Sequence, residues 1–115
     1  MDEKRDFTLD PVHFPQPKVK AFVEELHAQD QHYVLIIDPA IAAAEDNPSF
    51  VRGQQQDVFL KNHDKTLFVG EVWPGPTAFP DFMHPRTTAW WIDEIKRFAA
   101  LVPIDGLWIG HFSAL

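Results

Sequence analysis

The chain has 115 residues, no cysteine, 45% apolar residues, and 17 acidic against 10 basic side chains for a net charge of −7. This size and apolar content suit one ordinary domain or one piece of a larger one, and an acidic chain with scattered Lys and Arg offers no basic surface for phosphates, which excludes nucleic acid as a partner. The lack of cysteine excludes a disulfide framework and thiolate chemistry, and no apolar run approaches the length of a membrane span.

Residues 1–16 carry Pro11 and Pro15 and little periodicity, so they read as an extended lead-in. The charged run Asp2-Glu3-Lys4-Arg5-Asp6 has no hydrophobic stretch behind it; no secretory signal is expected there, and the run reads most simply as a solvated terminus. The compartment stays undetermined. From Lys18 to Gln29, Val19, Phe22, Val23 and Leu26 fall at i, i+3, i+4 and i+7, which predicts a helix packed on one face. Tyr33-Val34-Leu35-Ile36-Ile37 is a continuous, β-branched run stopped by Asp38-Pro39, the pattern of a parallel strand buried on both faces.

Beyond Ile41 the pattern changes. Asp57 to Lys61 and Thr66 to Gly70 flank Asn62-His63-Asp64-Lys65 and predict a hairpin. Trp73-Pro74-Gly75-Pro76 and Phe79-Pro80-Asp81-Phe82 continue as a rigid aromatic loop closed by Pro85. An excursion this long, about 42–86, is expected of a functional loop at the mouth of a scaffold. Thr87 or Thr88 is a candidate cap for a helix with Trp91, Ile95, Phe98 and Val102 inward and Asp93 and Glu94 near its positive end. Pro103 ends that helix, and Asp105-Gly106 turns into a final strand, Leu107 to Ile109. Helix, strand, long loop, helix, strand is a βαβ crossover preceded by a helix, an α/β architecture. Two parallel strands are too few for a complete sheet, so a slice of a larger (β/α) protein is the favoured reading.

The residues that could carry chemistry are few. Asp38 ends the first strand, where barrel-like folds place catalytic groups. Asp38-Pro39 is also a plain strand-to-loop turn with the carboxylate bonding nearby amides, the simpler reading, and the residues alone leave both open. Of four tryptophans, Trp91 sits on the core stripe and Trp90 beside it, while Trp73 and Trp108 are candidates for stacking on a sugar. Histidines at 13, 27, 32, 63, 84 and 111 lack metal-site spacing, and no GxSxG, phosphate-binding loop or GxGxxG is present. Neither a metal nor a cofactor is implied.

Taken together, Ile37-Asp38-Pro39-Ala40-Ile41, Asp57-Val58-Phe59-Leu60-Lys61, Gly70-Glu71-Val72-Trp73-Pro74-Gly75, Phe79-Pro80-Asp81-Phe82, Trp90-Trp91 and Asp105-Gly106-Leu107-Trp108-Ile109 resemble glycoside hydrolase family 31, the α-glucosidases and their relatives. The likeness runs from about Arg5 to Ile109. It implies that residues 1–115 are a single partial (β/α)8 TIM barrel, with Tyr33 to Asp38 as barrel strand three, Gly106 to Ile109 as strand four, and the excursion inserted after strand three. It also implies hydrolysis of α-glucosides or maltooligosaccharides with retention, by a nucleophile and an acid/base carboxylate about 5–5.5 Å apart. Ile41, Trp73 and Trp108 match apolar walls of the glucose pocket, and Asp38 a polar residue at its edge.

The same resemblance carries a negative. The family's fourth strand runs on to the nucleophilic Asp and then Met-Asn-Glu, but here Gly110 stands at the nucleophile position and His111-Phe112-Ser113-Ala114-Leu115 departs from the pattern. Met1 matches a methionine just after the family's second strand, with a substrate-binding Asp expected upstream and the acid/base on a later strand. The tail reads as a changed reading frame, a retained intron or a truncated gene. An inactive piece of an α-glucosidase barrel is therefore expected, the alternatives being a non-catalytic carbohydrate-binding module and an interaction protein that self-associates through exposed strand edges. Parents of the family are often secreted or in the secretory pathway. Asp64-Lys65, where the family often has Asp-Gly, suggests a different turn geometry.

Overall fold

The computed structural model describes residues 1–110. The elements run α1 (Gln16–Ala28), β1 (Val34–Ile37), β2 (Ile41–Ala42), α2 (Pro48–Gln55), β3 (Val69–Val72), β4 (Gly75–Ala78), α3 (Thr87–Leu101) and β5 (Gly106–Ile109). β1 and β5 pair in parallel, Val34 opposite Gly106 and Ile37 opposite Ile109. The intervening α3 makes this the crossover unit expected from the sequence, an open α/β piece of a barrel. β2, β4 and β3 form a separate antiparallel sheet in that order.

α1 starts two residues earlier than its periodicity predicts, because Pro15 takes the extended N-cap position and Pro17 sits in the first turn, where a missing N–H costs nothing. Of its stripe, Val23 is buried, Val19 and Leu26 are half-buried, and Phe22 is turned to solvent. Val23 joins Phe98 of α3 and Val102 in one core cluster, with Phe7, Leu9, Tyr33 and Leu35 against it. The helices therefore cover the face of β1 that carries Leu35.

The opposite face corrects the expectation of a strand buried on both sides. Val34 and Ile36 are 53% and 44% exposed. Side chains alternate across a strand, so Val34 and Ile36 point away from both helices, and among the described residues no helix or second sheet packs over them.

The excursion also differs from its reading. Leu60 and Phe68 are joined by a backbone hydrogen bond of 2.9 Å and Lys61 bridges Leu67, so the 57–61/66–70 pairing exists only as a short bridge. The regular hairpin is β3–β4, with Val72 opposite Gly75 and Trp73-Pro74 as its two-residue turn. The presumed aromatic loop at 73–76 is thus half turn and half strand. Lys65 takes a left-handed φ of 68°, the conformation a glycine would supply, so Asp64-Lys65 does not abandon the glycine-type turn geometry. Asn62 N–H to Thr66 O at 2.8 Å and Asp64 Oδ1 accepting from Thr66 hold it there.

α2 had no counterpart in the sequence reading. Asn47 caps it by accepting from the Ser49 N–H at 3.2 Å, and Pro48 follows at the first helical position. Its Phe50 enters a second core cluster with Ile41, Val58, Phe59, Ala78 and Trp90.

α3 turns Phe98 inward, with Val102 at its end, as the sequence predicts, but its first half presents the neighbouring face. Trp90 and Glu94 are 1% exposed while Trp91 and Ile95 are half-buried, so the inward stripe is Thr87, Trp90, Glu94 and Phe98. The cap is also different. Arg86 is the N-cap without a side-chain bond, and Thr87, already helical, donates its hydroxyl to Val58 O at 3.4 Å. Glu94 lies beyond the first turn, where it receives Arg52 Nε at 2.6 Å, Arg52 Nη2 at 2.7 Å and the Ser49 hydroxyl at 2.7 Å.

Candidate functional site

The carboxyl ends of β1 and β5 lie side by side, as parallel pairing requires. Register places Ile36 opposite Trp108, and the Gly110 N–H donates to Ile37 O at 2.8 Å just past the last pair. With side chains alternating, Val34, Ile36 and Asp38 on one strand and Gly106, Trp108 and Gly110 on the other share the uncovered face. Space around position 110 bears this out: a Cβ built there would meet Ile36 Cδ1 at 3.4 Å and Asp38 Oδ1 at 2.6 Å. Asp38 therefore occupies the room beside Gly110.

Of the four candidate site residues, Asp38 and Trp108 come together on this face. Asp38 is 8% exposed and Trp108 66% exposed. Trp73 sits apart, at the β3–β4 turn, with its indole 56% exposed. Ile41 is 1% exposed and enclosed by Phe50, Phe59 and Trp90, so it backs the region from inside the core and presents no surface of its own. Residues 111–115, on which the departure from the family pattern falls, lie outside the described residues.

One residue of this site is invisible to the reading of 2–6 as a solvated terminus. Asp6 is 5% exposed, and its Oδ2 accepts the Asp38 N–H at 3.0 Å. Burial pushes the Asp6 carboxyl up to about 7; the Asp38 N–H opposes this and the neighbouring Asp38 charge adds to it. The signal in the sequence is Phe7, an aromatic in a polar lead-in, which packs on both core clusters and draws Asp6 inward with it. Among the described residues, no three His, Asp or Glu side chains converge as a metal site.

A parallel strand pair with a helical crossover, one face under helices and the other carrying Asp38, Trp108 and Gly110 at its carboxyl end, is the construction of a segment of a (β/α) barrel. The family model for the "Glycosyl hydrolases family 31 TIM-barrel domain" matches residues 1–111, and the chain belongs to that family. It is 50% identical over 109 residues to alpha-xylosidase 1 of Arabidopsis thaliana, covering 95% of this chain and 12% of that protein. It is likewise 50% identical over 112 residues to an alpha-glucosidase of Hordeum vulgare, covering 95% of this chain and 13% of that one. Among solved structures, a glucosidase II alpha subunit superposes with a TM-score of 0.83 at 28% identity, over 95% of this chain and 12% of that chain. The family 31 alpha-glucosidase of Bacteroides thetaiotaomicron gives 0.80 at 36% identity, over 94% and 18% respectively. The chain thus spans about an eighth of the curated relatives it matches.

Proposed function

We propose that residues 1–115 form one partial segment of a retaining α-glucosidase barrel, around strands three and four, and that as a separate polypeptide this segment does not turn over glycosides. The observation that carries this reading is Gly110. By resemblance its position is that of the nucleophile, and a glycine offers no oxygen to the anomeric carbon. The acid/base carboxylate of a retaining pair must stand about 5–5.5 Å from the nucleophile, and the resemblance assigns it to a later barrel strand than the two present here. In this reading Asp38 and Trp108 contribute the edge and a wall of the glucose pocket, Trp73 a second wall, and Ile41 its backing. The excursion at about 42–86 is the family's elaboration after strand three.

The test is an assay of the purified chain on maltose and an aryl α-glucoside. Turnover equal to a buffer blank is expected on both substrates, and for Gly110→Asp on maltose as well, since a nucleophile without a general acid does not expel an unactivated sugar leaving group. Turnover abolished by an α-glucosidase inhibitor refutes the reading.

The exposed indoles of Trp73 and Trp108 favour a second reading, a non-catalytic sugar-binding surface. Calorimetric titration with maltose decides it: heat that saturates at millimolar sugar supports binding, and none removes it. The uncovered Val34, Ile36 and Trp108 face bears on self-association, and a monomer on a sizing column at micromolar concentration counts against that.

A further inference from the structure

We propose that residues 1–10 are an acid-closed latch: with Asp6 neutral the segment lies against the carboxyl end of β1 and seats Phe7 between the two cores, and ionisation of Asp6 beside Asp38 releases it. This goes beyond the glycosidase reading and does not depend on it.

The geometry has three parts. First, two carboxyl groups are buried next to one another, Asp6 at 5% and Asp38 at 8% exposure, joined through the Asp38 N–H at 3.0 Å. Among the described residues no cationic side chain pairs with Asp6. Arg5, its neighbour in sequence, turns its guanidinium to Glu3 at 2.7 Å and Asp46 at 3.1 Å, and the other charge that acts on Asp6 besides Asp38 is the chain's α-amino group, which opposes the rise weakly. Burial strips water from an ionised Asp6, and the charge of Asp38 beside it adds to that cost, so closure favours the neutral Asp6 acid.

Second, the segment is organised largely within itself. Arg5 N–H bonds Asp2 O at 2.8 Å, Asp2 N–H bonds Thr8 Oγ1 at 2.8 Å, and the Thr8 hydroxyl donates to Arg5 O at 2.6 Å. Opening therefore need not break the helices or strands behind it. What docks it is the Asp38–Asp6 bond, the Arg5–Asp46 pair, Leu9 against the Val23–Phe98–Val102 cluster, and Phe7, which meets Trp91 edge-on with ring centroids 5.4 Å apart.

Third, Glu3, Lys4 and Phe7 hold left-handed φ values of 47°, 61° and 58°, a conformation that side chains with a Cβ disfavour. Glu3 and Lys4 belong to the self-bonded Asp2–Arg5 turn, which opening leaves in place, so the strain that release relaxes is that of Phe7, next to Asp6.

The sign follows from linkage. Asp6 titrates at about 7 when closed, and at the ordinary 3.8 when the segment is open to water. Closure is strongest below the lower value, weakens as pH rises between the two, and is constant above the upper one. The experiment is amide hydrogen exchange of the intact chain at pH 5 and pH 7.5, corrected for the intrinsic rate, reading the Asp38 amide. Its protection should fall roughly 100-fold between the two, about ten-fold for each pH unit up to 7, and should stay at least ten-fold below that of Val23 at both. Asp6→Asn, which keeps the acceptor and cannot ionise, should show less than a three-fold change. Equal protection of Asp38 at the two pH values overturns the latch, as does a fall of the same size in Asp6→Asn. Equal protection of Asp38 and Val23 also overturns it, since that means whole-molecule unfolding. If Asp6→Asn does not fold, a carbon-13 titration of the wild-type Asp6 carboxyl decides: a midpoint above 6 supports the latch and one near 4 overturns it.

Discussion

Arg52 of α2 closes on Glu94 of α3 through two parallel hydrogen bonds, Nε to Oε1 at 2.6 Å and Nη2 to Oε2 at 2.7 Å, with the Ser49 hydroxyl on Oε2 completing the enclosure. Glu94 is 1% exposed while Arg52 still reaches water, so the pair pins the excursion to the crossover helix with a fully desolvated carboxylate. Its hydrogen bonds to Glu94 hold the Arg52 guanidinium still further above its already high range.

A buried charge stripped of its partner is costly, so Arg52→Ala should destabilise by about 3–5 kcal/mol. Arg52→Lys should recover only part of this, because an ammonium cannot make the bidentate fork. Urea denaturation of the three proteins checks both, and a loss below 1 kcal/mol for Arg52→Ala would mean the carboxylate is hydrated after all.

Gly53 and Lys65 form an opposed pair of glycine tests. In the middle of a helix, Gly→Ala ordinarily stabilises by about 0.5–1 kcal/mol. At Gly53, however, a Cβ would meet Phe59 Cε2 at 2.5 Å, and that ring is held between Phe50 and Trp90, each with centroids 5.5 Å away. Overpacking wins, and Gly53→Ala should lose about 1–3 kcal/mol. Lys65→Gly should do the reverse. Relief of a left-handed non-glycine, about 1–2 kcal/mol, exceeds the added chain entropy of glycine, about 0.5–1 kcal/mol. Thermal melts should therefore move in opposite directions for the two variants.

Steric conflict at the end of β5 is testable without any sugar. Gly110→Ala should destabilise by about 1–3 kcal/mol, because its Cβ falls on Asp38 Oδ1 and on the Ile36 side chain. In an Asp38→Gly background the same substitution should cost at least 0.5 kcal/mol less, the coupling expected of residues in contact. Additive effects in a double-mutant cycle would show that Asp38 does not limit position 110.

Asp105 staples the amino ends of the strand pair, accepting the Tyr33 N–H at 2.7 Å and contacting His27 Nε2 at 2.7 Å. The Tyr33 N–H and then His27 lower its carboxyl below the usual range. A depressed native value means the stabilisation is present above the ordinary carboxylate range and lost as pH falls through the native one. The stability gap between wild type and Asp105→Ala should therefore be widest near pH 5 and shrink towards pH 2. A gap unchanged across that range removes the ionised carboxylate from the explanation.

The elements legible in the sequence were those written in local periodicity. The 3.6-residue recurrence of Val19, Val23 and Leu26, the unbroken run into Asp38, and the Pro103 stop before Asp105-Gly106 located α1, β1, α3 and β5, because each is a pattern of burial repeated within a dozen residues. Asn47-Pro48 is an equally local signal for α2, but the helix it opens, Pro48–Gln55, is polar overall and has only Phe50 and Val51 as large apolar residues, too few for a recurring stripe. The excursion was legible as an excursion, yet its register was not. Neither 66–70 nor 69–72 shows a clean two-residue alternation that would fix its register, and only pairing with β4, itself tied to β2, selects the second.

What tertiary structure alone decided is which face each element presents and to whom. Trp90 and Trp91 are equivalent in composition, but Gly53 leaves room against α2 for the first and Phe7 reaches the second. Glu94 reads as an acid near the positive end of its helix until Arg52 and Ser49 arrive from 42 and 45 residues away. Asp6 reads as terminal charge until Phe7 carries it under Asp38. Periodicity reports how a segment contacts its surroundings on average; the identity of the contacting group is set by chain segments far away in sequence, and a buried charge is tolerable or strained according to that partner alone.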